Sequence, residues 1–129
     1  MWPFLLSQYL QGEDSLIETI KKTYEFDRVY KTGRSFANRY LVMYVYANDR
    51  KKSRLGVSVS KRVGNSVVRH RVSRLIKESF RLSFDMFNSG LDIVVIARKG
   101  TGNLKLEDVK GAFIHLLKLH GIYKERADG

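Results

Sequence analysis

The chain has no cysteine among its 129 residues. That absence excludes structural disulfides, thiolate zinc sites and thiol nucleophiles, and it agrees with a reducing, cytoplasmic setting. Long hydrophobic runs are missing as well. The most apolar stretch, MWPFLLSQYL at the N-terminus, falls far short of the roughly 20 residues that span a bilayer. It has no basic leading region and no small-residue cleavage site, and acidic Glu13, Asp14 and Glu18 follow it, so it reads as neither anchor nor signal peptide. No repeat, low-complexity tract or long linker interrupts the chain. Phosphate-loop and dinucleotide fingerprints are absent too, since Lys61 to Asn65, KRVGN, holds a single glycine. The acids Glu78, Asp85, Asp92, Glu107 and Asp108 are scattered, with Asp92 in a turn-like setting before a strand, and they form no converging pair for acid–base work. His115 and His120 stand five residues apart on a helix, a spacing that separates them, and they read as surface or packing residues rather than metal ligands. The chain by itself looks like a binder, not a catalyst.

What is present is positive charge, and it is concentrated. Between Arg50 and Arg81 eleven basic residues face one acid, Glu78, for a local charge of +10 out of +11 for the whole chain. Such a contiguous basic face is the electrostatic footprint of nucleic-acid binding. Placed on a helix at 100° per residue, Val68, Val72, Leu75, Ile76, Ser79 and Phe80 share one side, while His70, Arg74, Lys77 and Arg81 share the other. One stripe faces a core and the other a polyanion.

The remaining pattern fits one domain with a single core. TYEFDRVYK at Thr23 to Lys31 places Phe26, Val29 and Tyr30 on one face of a short helix stopped by Gly33. Phe36 to Ala47 alternates as a strand, with Tyr40, Val42, Tyr44 and Tyr46 on one face and Leu41, Met43 and Val45 on the other. Asn48 to Ser53 reads as a turn, and Leu55 to Ser60 as a strand with Leu55, Val57 and Val59 inward. After the basic helix and a turn at Asn88 to Gly90, Asp92 to Arg98 is β-branched and almost continuously apolar, which predicts a central strand covered on both faces. Leu104 to His120 is a last amphipathic helix capped by Gly121. The order α-β-β-α-β-α describes a small two-layer α/β sandwich.

Gly64 allows a tight turn before the basic helix, and Asn65 or Ser66 can cap it, which leaves backbone N–H groups and the positive dipole end for an approaching phosphate. Lys61, Arg62, Arg69 and Arg71 surround that end, and arginine suits bidentate contact with phosphate oxygens. For Asn65, a plain helix cap is at least as good a reading as a ligand role. Phe26 and Tyr30, with Tyr44, either floor a groove where unpaired bases stack or pack into the core. Together these features favour a structured RNA with a single-stranded element over duplex DNA.

The run SVSKRVGNSVVRHRVSRLIKESFR resembles the signature of the bacterial ribonuclease P protein component, whose motif usually reads KxGNAVxRNRxKRxxRExFR. The resemblance extends upstream through IKKTYEFDRVYKTGRSFANRYLVMYV and downstream through DIVVIARKG to the closing helix. It covers residues 20–124, leaving 1–19 as an N-terminal extension of unknown role and 125–129 as a tail. It implies a ribonucleoprotein endonuclease subunit that helps remove the 5′ leader from precursor tRNA. The RNA subunit would carry out Mg²⁺-dependent hydrolysis, with the Mg²⁺ held mainly by RNA. It also implies a left-handed β-α-β crossover, against the usual right-handed preference. Position by position, Phe26, Tyr30 and Tyr44 match the leader-binding cleft. Lys61, Asn65, Arg69, Arg71 and Arg74 match the basic motif, with Arg62, His70, Lys77 and Arg81 completing the RNA-binding helix, and Asn65 matches a position implicated in metal binding. His70 and Ser73 depart from the family's asparagine and lysine.

Three rivals are weighed against this reading. A small basic ribosomal protein would share its size and charge but act on ribosomal RNA. A stand-alone metal-dependent nuclease would need converging acids. A DNA reader would need a recognition helix fitted to the major groove and a helix-turn-helix partner. No membrane and no DNA partner is expected.

Overall fold

The computed structural model describes residues 17–87 and 89–124. Most of the expected N-terminal extension, residues 1–16, lies outside them, as do the tail at 125–129 and Asn88 of the expected turn.

The β-branched run behaves as its composition demands. Leu91–Ala97 forms β5, the middle strand of a five-stranded sheet, and Ile93, Val94 and Val95 are all fully buried. On one side it pairs in parallel with β4, Arg54–Ser58; on the other it pairs antiparallel with β3, Leu41–Ala47. The register sets Met43, Leu55, Ile93 and Val95 toward one face, and Tyr44, Gly56 and Val94 toward the other. Between β4 and β5 runs α2, Ser66–Leu82, making the β-α-β unit that parallel neighbours require. Its apolar stripe buries Val72, Ile76, Ser79 and Phe80 as the periodicity predicts. With α3, Leu106–Leu119, which buries Val109, Phe113, Leu116 and Leu117, it covers the main core. Gly121 ends α3 with φ of 73°, the left-handed conformation that glycine adopts without a Cβ clash.

Among the described residues the opposite face receives only α1, Thr23–Thr32, whose Val29 joins Ile20 and Val94 in a second, smaller apolar cluster. Beyond α1 that face carries the half-buried Val42, Ser58 and Ile96. The order α-β-β-α-β-α holds for the helices and the three longer strands. The structure adds β1, Glu18–Thr19, paired with β4, and β2, Arg34–Ala37, paired with β3. Ile17 is buried, so the packed chain extends at least three residues upstream of Ile20.

The single strand expected over Phe36 to Ala47 is a hairpin. Asn38 Oδ1 accepts the backbone N–H groups of Tyr40 and Leu41 at 3.1 and 3.0 Å, an Asx turn that reverses the chain without glycine or proline. The break shifts Tyr40 out of phase, and it packs on the main core instead of sharing a face with Tyr44 and Tyr46. Asp92 also differs from expectation. It lies inside β5 and is fully buried, not in a turn-like setting. Of the two C-terminal histidines, His115 lies on the surface and His120 packs against the sheet. The His120 Nε2–H donates to the Met43 carbonyl at 2.9 Å and its ring meets Phe36 edge-on, with burial pushing the imidazole pKa down. His115 Nδ1 bonds Asn38 Nδ2 at 3.1 Å.

Candidate nucleic-acid interface

On the α1 face, the helix places Phe26 and Tyr30 one turn apart, with ring centroids 6.3 Å apart. Tyr30 meets Tyr44 of β3 edge-on at 5.0 Å. All three are half-buried: they flank the small cluster around Val29 and Val94 and still present ring surface. The Tyr30 hydroxyl hydrogen-bonds Ser58, while burial, and then the neighbouring Tyr44, push its phenol pKa up. Tyr46 extends the aromatic surface, with the Arg28 guanidinium over its ring at 5.7 Å. Neither Ser58 nor the Arg28–Tyr46 pair belonged to the expected site; alternation along β3 and β4 places Tyr46 and Ser58 on this face.

Gly56 admits Phe26 to the sheet. A Cβ there would stand 2.7 Å from Phe26 Cε1 and 3.3 Å from Val94 Cγ2. Gly56→Ala is therefore expected to displace the ring and to destabilise the fold by about 1–3 kcal/mol, the usual cost of overpacking. Chemical denaturation of the purified variant checks this; an unchanged midpoint would mean the ring yields freely.

Beneath the aromatic surface lies a buried ion network that sequence reasoning missed. Arg54 Nη1 donates to Glu25 Oε2 of α1 at 2.7 Å. Its Nε and Nη2 donate to Asp92 Oδ1 and Oδ2 at 2.9 and 2.7 Å. Asn48 Nδ2 also donates to Asp92 Oδ1, at 2.7 Å. These bonds, opposed by burial, hold both carboxyls below the usual carboxylate range; for Glu25 the hydrogen bond from Arg54 is the largest influence. One signal was present in the sequence: Arg54 and Asp92 each directly precede an apolar strand run, and the register sets them opposite one another. A consequence is that Arg54, counted with the basic segment, is turned inward and unavailable to a polyanion.

The basic residues of α2 lie on the other face of the sheet. Asn65 caps the helix, its Oδ1 accepting the Val68 N–H at 3.0 Å. Lys61, Arg62, His70, Arg71 and Arg74 are exposed, and Lys77 is half-buried. Arg69 has a buried Nε without a hydrogen-bond partner and lines a groove with Val57, Val59, Ser66, His70 and Ser73. Both residues that depart from the motif thus border that groove. Arg71 donates to the Gly102 and Leu104 carbonyls at 3.2 and 2.6 Å, bracing α2 against the turn before α3. Arg81 forks onto Glu78 at 2.6 and 3.1 Å, which partly neutralises the end of the stripe. The structure therefore brings the basic residues together and the aromatic residues together, on opposite faces.

The residues fit a metal ion poorly. Asn65 would offer only the second lone pair of an oxygen already used as a cap. Among the described residues no three of His, Cys, Asp or Glu converge on a common point.

The family model described as Ribonuclease P matches residues 17–120. A ribonuclease P protein component from Lachnoclostridium phytofermentans is 56% identical over 105 residues, covering 81% of this chain and 90% of the relative. One from Clostridium kluyveri is 51% identical over 107 residues, covering 81% and 96%. Among solved structures, the RNase P protein of Staphylococcus aureus superposes with a TM-score of 0.75 at 36% identity, covering 82% of this chain and 97% of that one. That of Thermotoga maritima gives 0.72 at 30% identity, covering 79% and 96%.

Proposed function

The chain belongs to the bacterial ribonuclease P protein family, and from that membership we propose how its two faces divide the work. It is an RNA-binding subunit of ribonuclease P that assists removal of the 5′ leader from precursor tRNA, and not a ribosomal protein. The observation that carries this function is the 56% identity over 105 residues to a ribonuclease P protein component.

In our reading, α2 binds the RNA subunit. Arg69, His70, Arg74 and Lys77 supply phosphate contacts, Lys61 and Arg62 extend them before the helix, and Arg71 and Arg81 contribute less because protein acceptors occupy them. The unpartnered Arg69 Nε supports this, since a buried donor without an acceptor is costly unless a ligand supplies one. The single-stranded leader lies against Phe26, Tyr30 and Tyr44, where stacking is worth about 1–3 kcal/mol per base and tolerates any base. Hydrolysis of the phosphodiester bond belongs to the RNA subunit, which also holds the Mg²⁺; the chain's own residues bind and orient. The same reading places the protein in the cytoplasm, and no helix among the described residues is long and apolar enough to cross a membrane.

The test is cleavage of a precursor tRNA at low Mg²⁺ by a bacterial ribonuclease P RNA with and without this protein, beside a protein-only control. Stimulation only when both are present is expected. Cleavage by the protein alone would assign the chemistry to the chain instead.

A further inference from the structure

The ion network under the aromatic surface joins three elements, and one of them carries the cleft. Glu25 immediately precedes Phe26 on α1 and lies one turn and a residue before Tyr30. Asp92 is fully buried in the central strand and is held by Asn48 as well. Arg54 sits between them with a side chain only 5% exposed, anchored through two bonds to the rigid strand and reaching out to the helix through one.

The rest of the attachment of α1 is slight. Its apolar seat is Val29 against Ile20 and Val94, flanked by the cleft aromatics themselves. Apolar contact is non-directional and allows a short helix to slide or roll. Charge-assisted bonds from a planar guanidinium are directional and do not. Phe26 also needs a fixed seat, because it enters the space left by Gly56.

We propose that Arg54 is a positioning residue for leader binding: by gripping Glu25 and Asp92 together it sets the seat of α1 on the sheet, and with it the placement of Phe26 and Tyr30 against Tyr44. This rests on the reading of the aromatic surface as the leader cleft. Removing Arg54 itself would strand Asp92 without its counterion, so the informative variant is Glu25→Ala. It releases the helix while the Arg54–Asp92 pair stays intact, and alanine suits a helix.

The experiment uses holoenzyme reconstituted with a bacterial ribonuclease P RNA. It compares affinity for precursor tRNA with that for the same tRNA lacking a leader, for the unmodified protein, Glu25→Ala and Phe26→Ala. Affinity of each protein for the RNA subunit is measured alongside. Misplacement of a binding group by about 1 Å is costly, and Glu25→Ala is expected to erase about tenfold of the advantage that a leader confers, with affinity for the RNA subunit unchanged. If Phe26→Ala erodes that advantage and Glu25→Ala does not, the positioning role of Arg54 is overturned while the cleft stands. If neither erodes it, the cleft reading itself fails. Equal weakening of leader-bearing and leaderless substrates, or of RNA-subunit binding, would show a merely structural role and also overturn the proposal.

Discussion

Replacing Arg54 by methionine is expected to lower the unfolding free energy by about 3–5 kcal/mol, the cost of breaking a buried ion pair from one side. The variant leaves Asp92 fully buried with the Asn48 amide as its one remaining side-chain donor among the described residues. Its acid response gives the effect a signature. In the unmodified protein the Glu25 and Asp92 pKa values are depressed, so their contribution is fully present above the unfolded values of about 4 and is lost as pH falls through the folded ones. Without Arg54, burial dominates at Asp92 and raises its folded value. The variant's deficit is then largest at neutral pH and narrows on acidification, because protonating Asp92 removes the unpaired charge. Urea denaturation at pH 7 and pH 4 measures both quantities. A deficit that does not change with pH would mean that lost packing, not the stranded charge, is responsible. The double variant Arg54→Met, Asp92→Leu is expected to recover much of the loss, since well-packed apolar replacements of buried pairs are often neutral.

Neutralising Arg74 and Lys77 together should make the dependence of RNA-subunit affinity on salt shallower by about two units in a double-logarithmic plot. Each lost phosphate contact costs about eightfold at 0.1 M salt, so the pair should cost about 60-fold. Arg81→Ala should cost less than either single replacement, because Glu78 already holds that guanidinium through two bonds. Filter binding or fluorescence titration across a salt series gives both slope and intercept. An unchanged slope for the double variant would remove the α2 stripe from the RNA interface. These outcomes separate charges that merely sit in the basic segment from those that meet the polyanion. Arg54 shows the difference, contributing to the segment's +10 in sequence while buried against two carboxylates in space.

That contrast marks what could be read from the chain. Val72, Ile76 and Phe80 repeat at helical spacing, and Ile93 to Ala97 is β-branched and apolar, so local periodicity located α2 and β5 without tertiary information. Gly33 and Gly121 marked the ends of α1 and α3 for the same reason. The hairpin between β2 and β3 was illegible because its turn relies on the Asn38 side chain, not on glycine or proline, and because Phe36 keeps the even-numbered phase of Tyr40, Val42 and Tyr44 in sequence although the reversal pairs it with Met43. The resemblance pointed to the cleft aromatics, and spacing alone left them between core and groove. The half-burial of Phe26, Tyr30 and Tyr44 explains why spacing alone could not choose between the two. The Glu25–Arg54–Asp92 network left only the charges before two apolar strand runs as a local sign, since it joins residues 29 and 38 positions apart.

One sheet with aromatic residues on one side and a basic helix on the other also has a thermodynamic consequence. Phe26, Tyr30 and Tyr44 stand on one side of β5, while Arg74 and Lys77 project from a helix on the other, and no described hydrogen bond or ion pair links the two sets. Perturbations at well-separated sites without shared partners usually add within about 0.3–0.5 kcal/mol. Under the proposed function the sheet acts as a partition: grip on the leader and grip on the RNA subunit become separately tunable quantities, and a lineage can retune one without renegotiating the other.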